Sequence, residues 1–434
     1  MTGAAGWFGG WLRRHRTALC VGVLLGVAAP LAAMPPQGKA PPDCPRRERI
    51  QVATGSDVSV NGYRRRLFTN WNATNAPSDK DVDVIELSPV ADVKRSEMLA
   101  ALQGDGCPRY DVVILDAAWT AEFAAAGLLE PMTGVPSGRF VPAALATGQW
   151  KGTQYALPFA TDVGLLFRRA GGPAPAGWRD LYGNAALQGF VTQNDDYEGG
   201  TVTLLEVTGG VLKGERVVVD ARAKEGLAAW WHARETQKIV EGPFRERESL
   251  TEFVTGSARY LRHWPYAYLR LAEAGVKVEV SPLPGGGALG GSNLAIAARS
   301  ELAAESRAFV DYLTRADNQR QLFSCGGYAP VVEAAYERVD SCQMLREDGS
   351  APASATPAEL GRLLETVHQA LAAAERPALV HYAQFSQTLR DCVRTVLEKD
   401  HASGAEFADA VERALATALP DAVAGRPGAG EKCR

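Results

Sequence analysis

Five residues, DVVIL from Asp111 to Leu115, followed at once by Asp116, constrain this chain more than any other stretch. A nearly unbroken apolar run of that length, closed by an acid, reads as a strand buried on both faces. A helix pattern follows directly. Thr120 serves as its N-cap, Glu122 suits the positive end of the helix dipole, and Gly127 supplies the left-handed residue that stops it. Strand and helix patterns alternate around this unit at 50–53, 63–71, 82–87, 98–102 and 112–115, which predicts an α/β fold with mostly parallel sheets wrapped by helices. In open α/β sheets ligands collect beyond the carboxyl ends of strands, so Asp116 and Trp119 become candidate ligand-binding residues. The competing reading is a capping acid beside a packed indole.

The 434 residues, 46% of them hydrophobic, suffice for a sizeable core and two domain-sized lobes. Lys and Arg total 46 against 50 acids, and basic clusters are short, as at Arg64 to Arg66 on what reads as an exposed helix face. Nucleic acid is therefore not an expected partner. At the N-terminus Arg13, Arg14, His15 and Arg16 precede an apolar run over 17–34, longer than a usual signal core and slightly short for a membrane span. Two readings stay open, a signal peptide cut after Ala33, for which Leu31 is a poor match, and a retained transmembrane anchor. Both send the remainder to the extracellular side, secreted or tethered.

Beyond Cys20, which falls within the apolar run, six cysteines stand at 44, 107, 325, 342, 392 and 433. An even number without CxxC in an oxidising compartment indicates disulfides. Six cysteines allow about 15 connectivities. The expected pairs are Cys325 with Cys342, bracketing a short segment, then Cys44 with Cys107 and Cys392 with Cys433. The histidines are scattered without ligand spacing, so no metal site is expected.

A Pro-rich linker at 35–45 precedes the first strand. A second region, from about 162 to 291, carries strand patterns at 190–192 and 276–280 and helix patterns at 225–232 and 250–254. From Pro357 on the chain reads as amphipathic helices, with Leu360, Leu363, Leu364, Val367 and Leu371 on one face and Phe385, Leu389, Val393 and Val396 on another. The Gly- and Pro-rich tail after Pro420 reads as loose. The expected division is 1–45 as signal or anchor segment and linker, 46–160 plus 294–332 as lobe 1, 161–293 plus 333–420 as lobe 2, and 421–434 as tail. The stretch Gly285 to Gly290 fits G-x-G-x-x-G, but Ser292 to Ala297 reads as a strand, so no helix N-terminus is there to receive a pyrophosphate.

Several ordered blocks carry a resemblance: the segment 111–131, YALPFATDVGLLF from Tyr155, DYEGGTVTLLE from Asp196, LRHWPYAY from Leu261, LGGSNLAIA from Leu289, and RPALVHYAQFSQTL from Arg376. Over roughly residues 50–419 the chain resembles the family 1 extracellular solute-binding proteins of ABC importers, and within them the trehalose/maltose-binding branch. The resemblance implies a two-lobed periplasmic-binding-protein-like (type II) fold with a hinge. It also implies a sugar cleft with Asp116 and Asp162 as hydroxyl acceptors and Trp264 as a stacking platform. Tyr266, Arg376 and Tyr382 fall at positions the branch uses around its ligand, Tyr197 and Glu198 match its Tyr-Glu-Gly turn, and Asp57 in ATGSD stands where an acid of the first lobe joins them. A pyranose offers hydroxyls to carboxylates and guanidinium and an apolar face to an aromatic ring, so acids and aromatics on loops are a fitting lining. Each residue also has a structural reading: Asp162 as a cap at a hinge turn, Trp264 and Tyr266 as core aromatics, Arg376 as the partner of a structural carboxylate.

The branch carries Trp after the Gly-Gly pair, whereas here Ser292 follows Gly291, and the Tyr-Tyr-Arg-Lys-Asp-Leu run usual after Phe167 is missing. The function implied is the extracellular carbohydrate-binding component of an ABC transporter, a disaccharide among the candidates. The expected partners are the sugar, the permease subunits and, through the N-terminal segment, the membrane. The protein is expected to be a monomer that needs no cofactor and is not an enzyme. The alternatives are a membrane-anchored sensor or interaction domain on a degenerate scaffold, and a glycosidase using two of Asp116, Asp162 and Glu198.

Overall fold

A computed structural model describes residues 44–45, 47–75, 79–171, 174–235, 237, 239, 242, 244–344 and 355–433. The N-terminal apolar run lies outside them, and among the described residues no helix is long and apolar enough to cross a membrane.

The alternation at the start of the chain builds three successive strand–helix units. These are β1 (Ile50–Thr54) with α1 (Tyr63–Thr74), β2 (Val82–Glu86) with α2 (Ala91–Gln103), and β3 (Val112–Asp116) with α3 (Thr120–Ala125). Four of the five β3 residues are buried, as the apolar run requires. A one-turn helix α4 (Pro142–Ala146) and a hairpin of β4 (Gln149–Trp150) and β5 (Thr153–Gln154) lead into β6 (Ala156–Val163). Gly164 alone separates β6 from β7 (Leu165–Arg169), with which a second sheet begins.

In that second part come α5 (Trp178–Gln188), β8 (Phe190–Val191), α6 (Glu198–Thr208), the hairpin β9 (Leu212–Lys213) and β10 (Arg216–Val217), α7 (Ala221–Glu235), α8 (Glu246–Thr255), β11 (Tyr260–His263), α9 (Ala267–Glu273) and β12 (Val278–Pro282). Residues 283–288 then return the chain to β13 (Leu289–Ile296), which inserts between β3 and β6. Helices α10 (Ala303–Leu313) and α11 (Ala316–Gly326) pack on the first sheet and its α1. Helix α12 (Pro357–Leu371) lies against β12 and β6, while α13 (Tyr382–Leu397) and α14 (Gly404–Val423) cover α6 and α7.

The two sheets run β2-β1-β3-β13-β6 and β12-β7-β11-β8. Both are mixed instead of mostly parallel: β1 is parallel to β2 and β3, but β13 is antiparallel to β3 and β6, and β7 to β11 and β12. An apolar run looks the same in either direction, so its pattern carries no information on polarity. The divisions expected at 160/161 and 293/294 cut through β6 and β13; the sheets part at Gly164 and over 283–288.

Other local expectations change too. Arg64 is not on an exposed face: it is 6% exposed and donates to Thr54 Oγ1 and the Gly55 carbonyl. Thr120 does not cap its helix. Asp116 Oδ1 accepts from the Ala118 amide at 3.0 Å, and the Thr120 hydroxyl accepts from Asn293 Nδ2. The tail is not loose, since α14 runs to Val423, a short 3-10 helix spans Ala429–Cys433, and Cys433 is buried. The six cysteines beyond Cys20 pair as Cys44–Cys107, Cys325–Cys342 and Cys392–Cys433.

Candidate functional site

The carboxyl end of β3, the two crossings between the sheets and the loop before α13 meet at one place. Arg376, on that loop, organises it. Its Nη2 donates to Glu198 Oε1 at 2.6 Å, Nε to the Tyr382 hydroxyl at 3.1 Å and Nη1 to the Leu289 carbonyl at 3.4 Å, while Nη1 stands 3.6 Å from Asp116 Oδ1. Glu198 also accepts from the Tyr382 hydroxyl at 2.6 Å and from Ser386 at 2.7 Å. As the first residue of α6 it stands at the positive end of a helix dipole. Burial raises the Glu198 pKa, with Arg376, Tyr382 and Ser386 pulling against it. Asp116, Glu198, Arg376 and Tyr382 thus form one unit drawn from the end of β3, the start of α6 and the C-terminal segment that opens α13. Arg376 does pair with carboxylates, and it pairs with two.

Asp162 and Trp264 form a second unit. Asp162 is next to last in β6, opposite Gly290 of β13. A Cβ added to Gly290 would lie 3.1 Å from the Trp264 ring and 3.2 Å from the Asp162 Cβ, so the bare glycine is what lets ring and carboxylate close on the strand. Asp162 Oδ1 is buried with no hydrogen-bond partner among the described residues. Burial pushes the Asp162 pKa up to about 7, Asp116 adds to the rise and Arg262 opposes it. Near neutrality such a carboxyl both accepts from and donates to a hydroxyl.

Tyr197 and Tyr266 gather around Glu246, whose carboxylate, after burial, contributes to raising both phenols. The Tyr197 ring folds back over Gly199, where a Cβ would meet its hydroxyl at 2.1 Å, and this fixes the Tyr-Glu-Gly turn. Tyr266 packs edge-on to His263 at 5.1 Å. Burial lowers the His263 pKa to about 4, so the ring is neutral. It bridges the Glu246 carbonyl at Nε2 and the Trp264 amide at Nδ1.

The remaining expected residues have other settings. Gly291 has φ 116, and a Cβ there would lie 2.3 Å from the Ala160 carbonyl, so it serves the close approach of β13 to β6. Ser292 lies opposite Asp116 in the ladder and shares its face of the sheet. Asp57 accepts from the Ser59 amide and hydroxyl and from the Arg65 amide, with Arg64 Nε 3.8 Å away; it is engaged in starting α1. Trp119 is 2% exposed, a core side chain, with the Lys94 ammonium 5.1 Å from its ring centroid.

Three groups at the site went unmarked in the sequence reading. Burial lowers the pKa of Lys94 on α2, Asp116 and Glu246 counter that, and Arg64 adds to it, so an ammonium sits in a field of mixed sign. Nothing in the polar stretch around it sets it apart. Arg262 and Glu206 form an ion pair with both side chains 1% exposed. Here a signal existed, since Glu206 is the lone charge in the interior of an otherwise uncharged helix segment.

Residues 79–347 match the family described as bacterial extracellular solute-binding protein. A Deinococcus radiodurans protein described as a probable ABC transporter-binding protein is 26% identical over 337 residues, covering 68% of this chain and 76% of its own length. Maltose-bound MalE3 of T. maritima superposes with a TM-score of 0.67 at 24% identity, covering 85% of this chain and 98% of that one. The GacH receptor of Streptomyces glaucescens, solved unliganded and with acarbose, gives a TM-score of 0.68 at 22% identity, with 87% and 100% covered. At these identities the two structures establish a shared two-lobed fold.

Proposed function

The chain belongs to the bacterial extracellular solute-binding proteins, and on that basis we propose that it holds a small carbohydrate between its lobes, a disaccharide among the candidates, and presents the closed form to the permease of an ABC importer. The observation that carries the carbohydrate reading is the Asp162 carboxyl, with a buried oxygen that has no partner among the described residues, beside the Trp264 ring. A buried acceptor left unsatisfied costs about 1–3 kcal/mol, which a ligand hydroxyl relieves. Asp116, held 3.6 Å from Arg376 and with its side chain 25% exposed, offers a second acceptor within the same region. The relatives' descriptions, maltose for one and acarbose for another, favour a sugar over other polar solutes.

The same geometry favours binding without bond cleavage. Glu198 is tied by Arg376, Tyr382 and Ser386 together, which leaves it unsuited to move as an acid or nucleophile. The protein acts as a monomer outside the cell, held to the membrane by its N-terminal segment or released. Function then follows from a hinge equilibrium, because contacts drawn from both lobes stabilise the closed state differentially.

Calorimetry and thermal shift against a panel of neutral mono- and disaccharides test the reading. A saturable response to at least one sugar is expected, and its loss in Asp162→Ala. Silence from the whole panel with folded protein would overturn the carbohydrate reading.

A further inference from the structure

Arg262 and Glu206 lie behind the Trp264 ring and against both crossings between the sheets. Arg262 Nε donates to Glu206 Oε2 at 2.7 Å and Nη2 to Oε1 at 2.5 Å, a two-pronged pair, and Nη1 donates to Gln193 Oε1 at 2.8 Å. The guanidinium lies 4.0 Å from the centroid of the Trp264 ring, so one face of that indole is already covered. Glu206 Oε1 also accepts from the Ala288 amide at 3.2 Å, on the segment that returns the chain to β13. At the other crossing a Cβ on Gly164 would lie 1.9 Å from Glu206 Oε1 and 2.8 Å from Arg262 Nη2. Gly287 and Gly164 approach closely as well, a Cβ on the first falling 2.5 Å from the carbonyl of the second. One buried pair therefore abuts both crossings between the sheets and the back of the platform.

Burying two charges is a weak route to stability, because their desolvation roughly cancels their attraction and apolar replacements of similar volume are often tolerated. A pair in this position therefore asks for another role. We propose that Arg262 and Glu206 are positioning residues that fix the orientation of Trp264 relative to both interlobe crossings, leaving a single indole face for the ligand. The inference rests on the reading that Trp264 meets the ligand. A stacked guanidinium holds an indole at a set tilt, since the attraction depends on the cation staying over the ring. The neighbouring His263 pins the Trp264 amide, so backbone and ring are held independently. A platform held this way keeps the ligand's apolar face in register with Asp162, whose Cβ shares Gly290 with the ring.

The test uses the whole exported chain labelled with 5-fluorotryptophan, the Trp264 resonance being assigned with Trp264→Phe. The informative protein is the double variant Glu206→Leu, Arg262→Met, which removes both charges and leaves none unpaired. It is expected to melt close to the parent while the Trp264 fluorine line, in ligand-free protein, broadens or splits. A Trp264 line of unchanged position and width in the folded double variant overturns the proposal. Arg262→Lys, which keeps the charge but not the fork, is expected to give an intermediate line and serves as the folded comparison if the double variant does not fold; a parental line there also overturns it. With maltose as probe, the double variant is expected to bind about tenfold more weakly than the parent. If the parent ignores every sugar, the carbohydrate reading fails while the ligand-free fluorine comparison still decides the positioning role.

Discussion

Arg376 Nη2 donates to Glu198 Oε1 at 2.6 Å, with the two side chains only 6% and 12% exposed. The same guanidinium faces Asp116 at 3.6 Å, so a single cation compensates two carboxylates from different parts of the chain. Arg376→Met leaves Glu198 without its counter-charge and leaves Asp116 with Lys94 alone. A loss of about 3–5 kcal/mol is expected from breaking such a buried pair, read as a lower urea midpoint at pH 7. The deficit should shrink in acid, because burial already holds the Glu198 pKa high and protonation relieves the stranded charge. A midpoint within experimental error of the parent would show that Arg376 serves the ligand and not the fold.

Asp162 carries a pH prediction of the sign unusual for an acid. Its pKa in the folded protein is raised from 3.8 to about 7, first by burial and then by Asp116. The contribution of such a group is fully present below the unfolded value and is lost as pH rises through the folded one. Asp162→Asn removes the titration while keeping the shape. The variant's melting temperature, measured against the parent's, should therefore climb between pH 4 and pH 8. A difference that stays flat over that window would sink the argument.

The strand–helix order from β1 to β3 was legible because apolar periodicity follows from which faces are buried. Strand direction was not, and the antiparallel placing of β13 between β3 and β6 came only with the structure. Asp116 could be picked out at a strand end, but nothing local ties it to Glu198 and Arg376, which stand far along the chain and are brought in only by its return. Those two came from the family resemblance. Arg64 was misread because a run of three arginines looks solvated, although Arg64 is drawn in by the Thr54 hydroxyl and the Gly55 carbonyl. The tail was misread because its Gly and Pro content says loose, while Cys433 and the pairing of Asp421 with Arg426 hold it down. Glu206 was visible as an acid out of place, without any sign of its partner.

Two glycines separate crowding from intrinsic propensity. A Cβ on Gly164 meets the clamped Glu206 carboxylate at 1.9 Å, and that oxygen is not the free end of a flexible side chain. Gly164→Ala is expected to cost about 1–3 kcal/mol or more through overpacking, read by denaturant titration. Gly183, inside α5, has no atom within 4 Å of its added Cβ. Gly183→Ala should raise stability by about 0.5–1 kcal/mol through helix propensity. Equal effects at the two positions would mean the crossing at Gly164 relaxes freely.

The C-terminal end is expected to act as a clamp on the second lobe. Cys433 is 3% exposed and bonds to Cys392 of α13 across a separation of 41 residues, while Asp421 of α14 accepts from Arg426 at 2.7 Å and pairs with Lys432. Closing a loop of that size restricts the unfolded chain, an effect of about 2–4 kcal/mol. The double variant Cys392→Ser, Cys433→Ser removes the bond without leaving a lone thiol. It should unfold at lower urea and exchange amide hydrogens rapidly over 424–433. Because α13 carries Tyr382 and Ser386, both bonded to Glu198, faster exchange should extend to the first turn of α13 if the clamp supports the site. Rapid exchange confined to the last ten residues, with α13 as protected as in the parent, would reduce the disulfide to an anchor for the tail alone.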